Sequence, residues 1–126
     1  MNRTGRIFFS LINLGTTYEL KGDYKNALEY YSRSLEIAEK LEEKSWIAWT
    51  LNNLGKIYFL QGEYEKSVKY LERSTKIMQE QKKDDYEQDL DVMCYLYLSY
   101  KEFLLMRKFY IFCHLDPKQC LHHHIF

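Results

Sequence analysis

The chain has 126 residues, about one domain's worth, and its 46% hydrophobic and 29% charged content is that of a globular protein with a core to bury. Five Gly and a single Pro, Pro117, leave too little turn chemistry for a sandwich or barrel, so helices are the expected element. Lys plus Arg equals Asp plus Glu at 18 each, which provides no long-range field toward nucleic acid or an anionic membrane surface.

At the N-terminus, Arg3 and Arg6 precede Ile7-Phe8-Phe9-Ser10-Leu11-Ile12, a pattern superficially like a signal peptide. The apolar run is short and no small-residue cleavage site follows it. A repeat explains the segment better. Asn13-Leu14-Gly15 recurs as Asn53-Leu54-Gly55, a period of 40, and pairing residues 6–41 with 46–81 gives 13 identities in 36 positions. They include Ile7/Ile47, Leu11/Leu51, Tyr18/Tyr58, Gly22/Gly62, Tyr30/Tyr70, Arg33/Arg73 and Ser34/Ser74.

Each unit reads as two antiparallel helices. In the first, Leu11, Leu14 and Tyr18 fall at i, i+3 and i+7, an apolar stripe of helical period. The stripe stops at Lys21-Gly22-Asp23, where Gly22 can close the helix in the left-handed conformation and Asp23 can cap the next one. A second helix is predicted from Tyr24 to Glu42, with Tyr24, Ala27, Leu28, Tyr31, Leu35 and Ala38 on its apolar face. Unit two repeats that face with Tyr64, Val68, Leu71, Thr75 and Met78. A mid-helix Gly costs about 1 kcal/mol relative to Ala, so the recurrence at Gly15 and Gly55 predicts a neighbouring helix crossing closely at each.

The spacing Leu-x2-Leu-Gly-x2-Tyr, then Gly-x-Tyr, then a small residue at Ala27 or Ser67 and a large one at Tyr31 or Leu71, resembles the tetratricopeptide repeat over about residues 6–82. The 40-residue period resembles the long-helix subclass found in kinesin light chains and in prokaryotic peptide-sensing regulators. The usual Pro near the end of the second helix is absent from both copies. The resemblance implies an all-α helical-hairpin solenoid of two full repeats, 6–42 and 45–82, plus a partial third helix. It also implies a concave face made by Phe9, Ile12, Asn13, Thr16 and Glu19 in unit one and by Trp49, Asn52, Asn53, Lys56 and Phe59 in unit two. The carboxylate clamp of chaperone-binding members needs basic residues and Asn at set places; Ile12 and Thr16 occupy two of them, which disfavours a heat-shock chaperone tail.

Read from their chemistry alone, the amides of Asn13 and Asn53 could clamp the backbone of a bound peptide or bridge neighbouring helices. Trp46 and Trp49 could equally fill helix contacts or meet a ligand.

The third unit begins and then departs from the pattern. Asp84 and Asp85 suit a helix N-terminus, and residues 84–110 can form a partial or divergent third repeat or a capping helix, yet Tyr95 stands where the period calls for Gly. From Val92 to Cys113 the chain is apolar, but Lys101, Glu102, Arg107 and Lys108 interrupt it short of a membrane span. Residues 111–126 read as an irregular tail. Its Cys113, His114, Cys120 and His122-His123-His124 have zinc-type donors at a spacing that matches no established finger, so no metal is expected. Three cysteines, all in the last third, make no disulfide framework and fit a reducing cytoplasm.

No nucleophile elbow, phosphate loop or His-Glu-x2-His motif is present, so neither an enzyme nor a cofactor is expected. The expected function is an interaction module that holds a peptide segment of a partner protein in the concave groove. The alternative is a structural piece of a larger array that self-associates, through the C-terminal helix, without a separate ligand.

Overall fold

Three connections of three residues each join four helices in the computed structural model, which describes residues 2–81, 98–102 and 104. The helices are α1 (Arg3–Leu20), α2 (Tyr24–Lys40), α3 (Lys44–Leu60) and α4 (Tyr64–Gln81). Residues 98–102 and 104 are helical too, and no strand occurs among the described residues. Helix α1 packs on α2, α3 on α4, and α2 on α3, so each helix packs on the next in the chain and two hairpins stack side by side. This is the helical-hairpin solenoid that the repeat implies.

The turns follow from the sequence. Gly22 and Gly62 adopt φ of 77° and 79°, the left-handed region that only glycine enters freely. At the first turn the N–H of Gly22 donates to the Glu19 carbonyl (2.9 Å) and that of Asp23 to the Tyr18 carbonyl (2.9 Å), the paired bonds that satisfy the last carbonyls of a helix. The second hairpin repeats both bonds, from Gly62 to Phe59 and from Glu63 to Tyr58. Asp23 then caps α2, its carboxylate accepting from the Asn26 backbone N–H at 3.3 Å. At the N-terminus of α1 the Asn2 side chain does the same for the Gly5 N–H at 2.8 Å. Between the hairpins the same pair of bonds recurs, from Glu42 to Glu39 and from Glu43 to Ala38, but the left-handed residue is Glu42, at φ 54°. Helix α2 therefore ends at Lys40, two residues before the expected Glu42, because that residue turns the chain.

Close helix crossing explains the two mid-helix glycines. A Cβ on Gly15 would stand 2.6 Å from a ring carbon of Tyr31, and one on Gly55 would stand 2.6 Å from the Leu71 side chain. The core joins Phe8, Ile12, Ala27, Tyr31, Ala38, Ile47, Leu51, Leu54 and Ile57 across both hairpins. Buried hydroxyls knit the second hairpin: Ser67 donates to the Gly55 carbonyl at 2.7 Å and Ser74 to the Ala48 carbonyl at 2.7 Å. Ser67 also lies 2.9 Å from Ser99, which brings the helical segment 98–102 against this hairpin.

The repeated tyrosines form a matched pair of stacks. Tyr18 lies on Tyr30 with centroids 5.4 Å apart, and 40 residues later Tyr58 lies on Tyr70 at 5.2 Å. Cations flank both stacks: Arg33 over Tyr30 at 5.6 Å and Lys66 over Tyr58 at 5.5 Å. These contacts hold the two helices of each hairpin together near their turn.

One expectation fails. Leu14, placed by periodicity on the apolar stripe, is 42% exposed, whereas its counterpart Leu54 is 1% exposed. Periodicity identifies the apolar face of a helix but not whether something covers it. Helix α3 has α2 on its far side, and α1 has no corresponding helix among the described residues.

Candidate functional site

The residues assigned to the groove come from one side of α1 and α3. Phe9 and Trp49, one period apart, are half-buried with ring centroids 5.9 Å apart. Two further rings hold them: Phe8 stacks on Trp46 at 4.5 Å and 9°, Phe9 meets Trp46 edge-on at 5.1 Å, and Phe8 meets Trp49 edge-on at 6.1 Å. Phe8 is fully buried, so the cluster has a fixed base and a half-exposed outer edge. Trp46 and Trp49 are both half-buried, and each packs against Phe8 and Phe9.

One turn along, the amides differ in setting. Asn13 is exposed, Asn52 and Asn53 are half-buried, and the Asn52 side-chain oxygen is buried without a hydrogen-bond partner among the described residues. Ile12, the counterpart of Asn52, is 3% exposed and belongs to the core. It backs the wall instead of presenting a surface, because an isoleucine at this register completes the packing of Phe8 and Tyr31.

The far end is polar. Thr16 donates to the Ile12 carbonyl at 3.0 Å and its hydroxyl lies 3.1 Å from that of Tyr31. Burial pushes the Tyr31 phenol above its ordinary value; the Thr16 hydrogen bond opposes this and the nearby Glu19 charge adds to it. Glu19 and Lys56 pair across the two units at 3.4 Å, and the second Glu19 oxygen is buried without a hydrogen-bond partner among the described residues. Phe59 meets Tyr64 edge-on at 5.5 Å.

The structure therefore joins Phe9 with Trp49, and Glu19 with Lys56, into contacts between the units. Sequence reasoning missed Phe8 and Tyr31 as the side chains that fix these groups in place. The spacing Phe8-Phe9 with Trp46-x2-Trp49 carried a signal for the aromatic cluster; the Thr16–Tyr31 contact carried none.

No group of three His, Cys, Asp or Glu suited to a metal occurs among the described residues. The Cys113, His114, Cys120 and His122–His124 set lies outside them, as do most of the third unit and the tail. Among the described residues no helix is long and apolar enough to cross a membrane.

No curated protein matches the chain. The family profile described as tetratricopeptide repeat matches residues 6–80. That span covers all four helices but for the first turn of α1 and the last residue of α4, including both glycine crossings and both glycine turns, and the chain belongs to the tetratricopeptide repeat family.

Proposed function

We propose that this chain binds an extended peptide segment of a partner protein along the concave side of α1 and α3. Tetratricopeptide repeats are in general modules of protein–protein interaction, and typically non-catalytic, which sets the class. The observation that carries the finer reading is the half-exposed Phe9–Trp49 edge, held rigid by Phe8 and Trp46, on the same helices as Asn13, Asn52 and Asn53. A rigid aromatic edge anchors an apolar side chain at small entropic cost, and amides beside it bind peptide backbone. Thr16, Lys56 and Phe59 extend the surface toward the turn, with Ile12 as its buried support. Because Lys56 is paired with Glu19, its charge is locally balanced, and it selects an acidic ligand less than its sequence position suggests.

The 40-residue period, with helices of 18, 17, 17 and 18 residues, supports the long-repeat subclass. Exposed Leu98, Tyr100 and Leu104 in the helical stretch after α4 favour a second reading, self-association at the C-terminal side.

Peptides selected from a random displayed library against the intact chain test the groove. The two tryptophans both lie in the aromatic cluster, so their emission reports occupancy. Selected peptides are expected to shift that emission and to lose about tenfold or more in affinity with Trp49→Ala or Asn53→Ala. Equal binding to wild type and both variants overturns the groove assignment.

A further inference from the structure

Among the residues assigned to the groove, Glu19 is the one acid and Lys56 the one base, and they pair with each other. The pair belongs to this chain and not to the repeat, because the 40-residue period puts Thr16 in the place of Lys56 and Phe59 in the place of Glu19. Its geometry is loose: Lys56 Nζ stands 3.4 Å from one Glu19 oxygen, against about 2.7–2.9 Å for a strong charge-assisted hydrogen bond. The other Glu19 oxygen is buried with no hydrogen-bond partner among the described residues, so the carboxylate has given up water without full replacement. Glu19 also sits in the last turn of α1, where the negative end of the helix dipole disfavours an acid. The two partners differ in access. The Lys56 side chain is 34% exposed and the Glu19 side chain 12%.

We infer, on the reading that the groove holds a peptide, that Glu19 is a built-in occupant of the cation site at Lys56 and that the partner segment carries an acidic side chain which displaces it. On displacement the ligand carboxylate takes the Lys56 ammonium, while the Glu19 side chain rotates to solvent and both its oxygens regain water. One ion pair is exchanged for another, and the relief of the half-satisfied Glu19 carboxylate favours the exchange. The pair thereby acts as a filter. A segment with an apolar residue for the Phe9–Trp49 edge but no acid leaves Glu19 in place and gains nothing from Lys56. Lys56 lies seven residues along α3 from Trp49. That is about 10 Å, which about three residues of extended chain cover, so one short segment reaches both. A basic ligand residue fits less well, because the carboxylate it needs is the more deeply buried partner.

The probe is a random displayed peptide library selected in parallel on the intact wild-type chain and on Glu19→Gln, with the selected peptides then titrated into both by tryptophan emission. Peptides from the Glu19→Gln selection should be enriched in Asp or Glu and should bind that variant about tenfold more tightly than wild type. The difference should vanish when Lys56→Gln is added, and when the acid of the peptide is replaced by its amide. Glu19→Ala should behave as Glu19→Gln does, and helical circular dichroism confirms that each variant folds. Glu36→Gln, which removes an exposed acid of α2, controls for net charge and should bind as wild type does. Peptides that depend on Trp49 but bind wild type and Glu19→Gln equally overturn the inference and leave the groove standing. Enrichment in Lys or Arg that Glu19→Gln abolishes overturns it too, making Glu19 itself the ligand's contact. If neither selection yields a peptide sensitive to Trp49→Ala, the groove reading fails and this inference fails with it.

Discussion

The hydroxyls of Thr16 and Tyr31 lie 3.1 Å apart across the crossing of α1 and α2. Thr16 also donates to the Ile12 carbonyl, so it keeps a partner if the tyrosine hydroxyl is removed. Tyr31→Phe should then cost only about 0.5–1.5 kcal/mol, because no buried group is orphaned. Its pH dependence is more telling. A phenol whose pKa is raised by folding, from an ordinary value of 10.0, retains its proton in the native state after the unfolded chain has lost it. Stability is therefore fully present below pH 10 and falls as pH rises beyond it. Tyr58 is raised as well, chiefly by burial and then by Tyr70, so the substitution should reduce the alkaline loss without abolishing it. Urea midpoints of wild type and Tyr31→Phe between pH 8 and pH 11, as a rough working range, check this. Parallel curves would mean that the Tyr31 phenol does not drive the alkaline loss.

The same ring governs Gly15. Ala in place of a helical Gly gains about 1 kcal/mol from propensity, whereas overpacking a tight core costs about 1–3 kcal/mol. A Cβ 2.6 Å from the ring of Tyr31, itself fully buried, puts Gly15→Ala at the costly end. Gly55→Ala meets Leu71 at 2.6 Å and, at 3.4 Å, the Ser67 backbone oxygen, which cannot rotate away. Both variants should lower stability by about 1–2 kcal/mol, read from thermal or urea unfolding. A stabilised variant at either site would show that the crossing opens readily.

These glycines were legible in the sequence because a costly residue kept at one register in two copies implies a backbone reason. The turns at Gly22 and Gly62 were legible for the same reason. The turn at Glu42 was not, since a glutamate carries no sign of the left-handed conformation it adopts there. Leu14 and Leu54 share a residue type and a period and differ only in what lies over them, which local pattern cannot encode. Of the candidate site, Phe9 and Trp49 stand one period apart in the sequence, and the contact between their rings is what the structure adds. The register could not tell that Ile12 turns into the core where Asn52 does not. Nor could it supply the Glu19–Lys56 pair, which depends on how the two hairpins dock.

Glu42 offers a stabilising change. A non-glycine residue in the left-handed helical region costs about 1–2 kcal/mol, and glycine removes most of that while adding entropy to the unfolded chain. Glu42 is exposed and its backbone N–H already donates to Glu39, so its side chain contributes little else. Glu42→Gly should raise stability by about 0.5–1 kcal/mol, and Glu42→Asn by less. Thermal unfolding measures both, and a loss with Gly would mean that the turn tolerates glutamate without strain.

The comparison that best separates fold from function sets three substitutions side by side on α1 and α3. Leu54 is buried between hairpins, so Leu54→Ala should cost about 2–5 kcal/mol of stability. Leu14, its counterpart with much of its surface in water, should cost under about 1 kcal/mol when cut back in the same way. Asn53→Ala should move stability by no more than about 0.5 kcal/mol, since the residue is half-buried beside the core and not in it. For a peptide selected on the wild-type chain, the order reverses: losing a partly desolvated backbone hydrogen bond at Asn53 should cost about 1–3 kcal/mol of affinity, and Leu14→Ala almost nothing. Urea unfolding and tryptophan-monitored peptide titration on the same three preparations give both orders. If Asn53→Ala unfolds the chain as readily as Leu54→Ala, the amide bridges helices and the groove loses its central clamp.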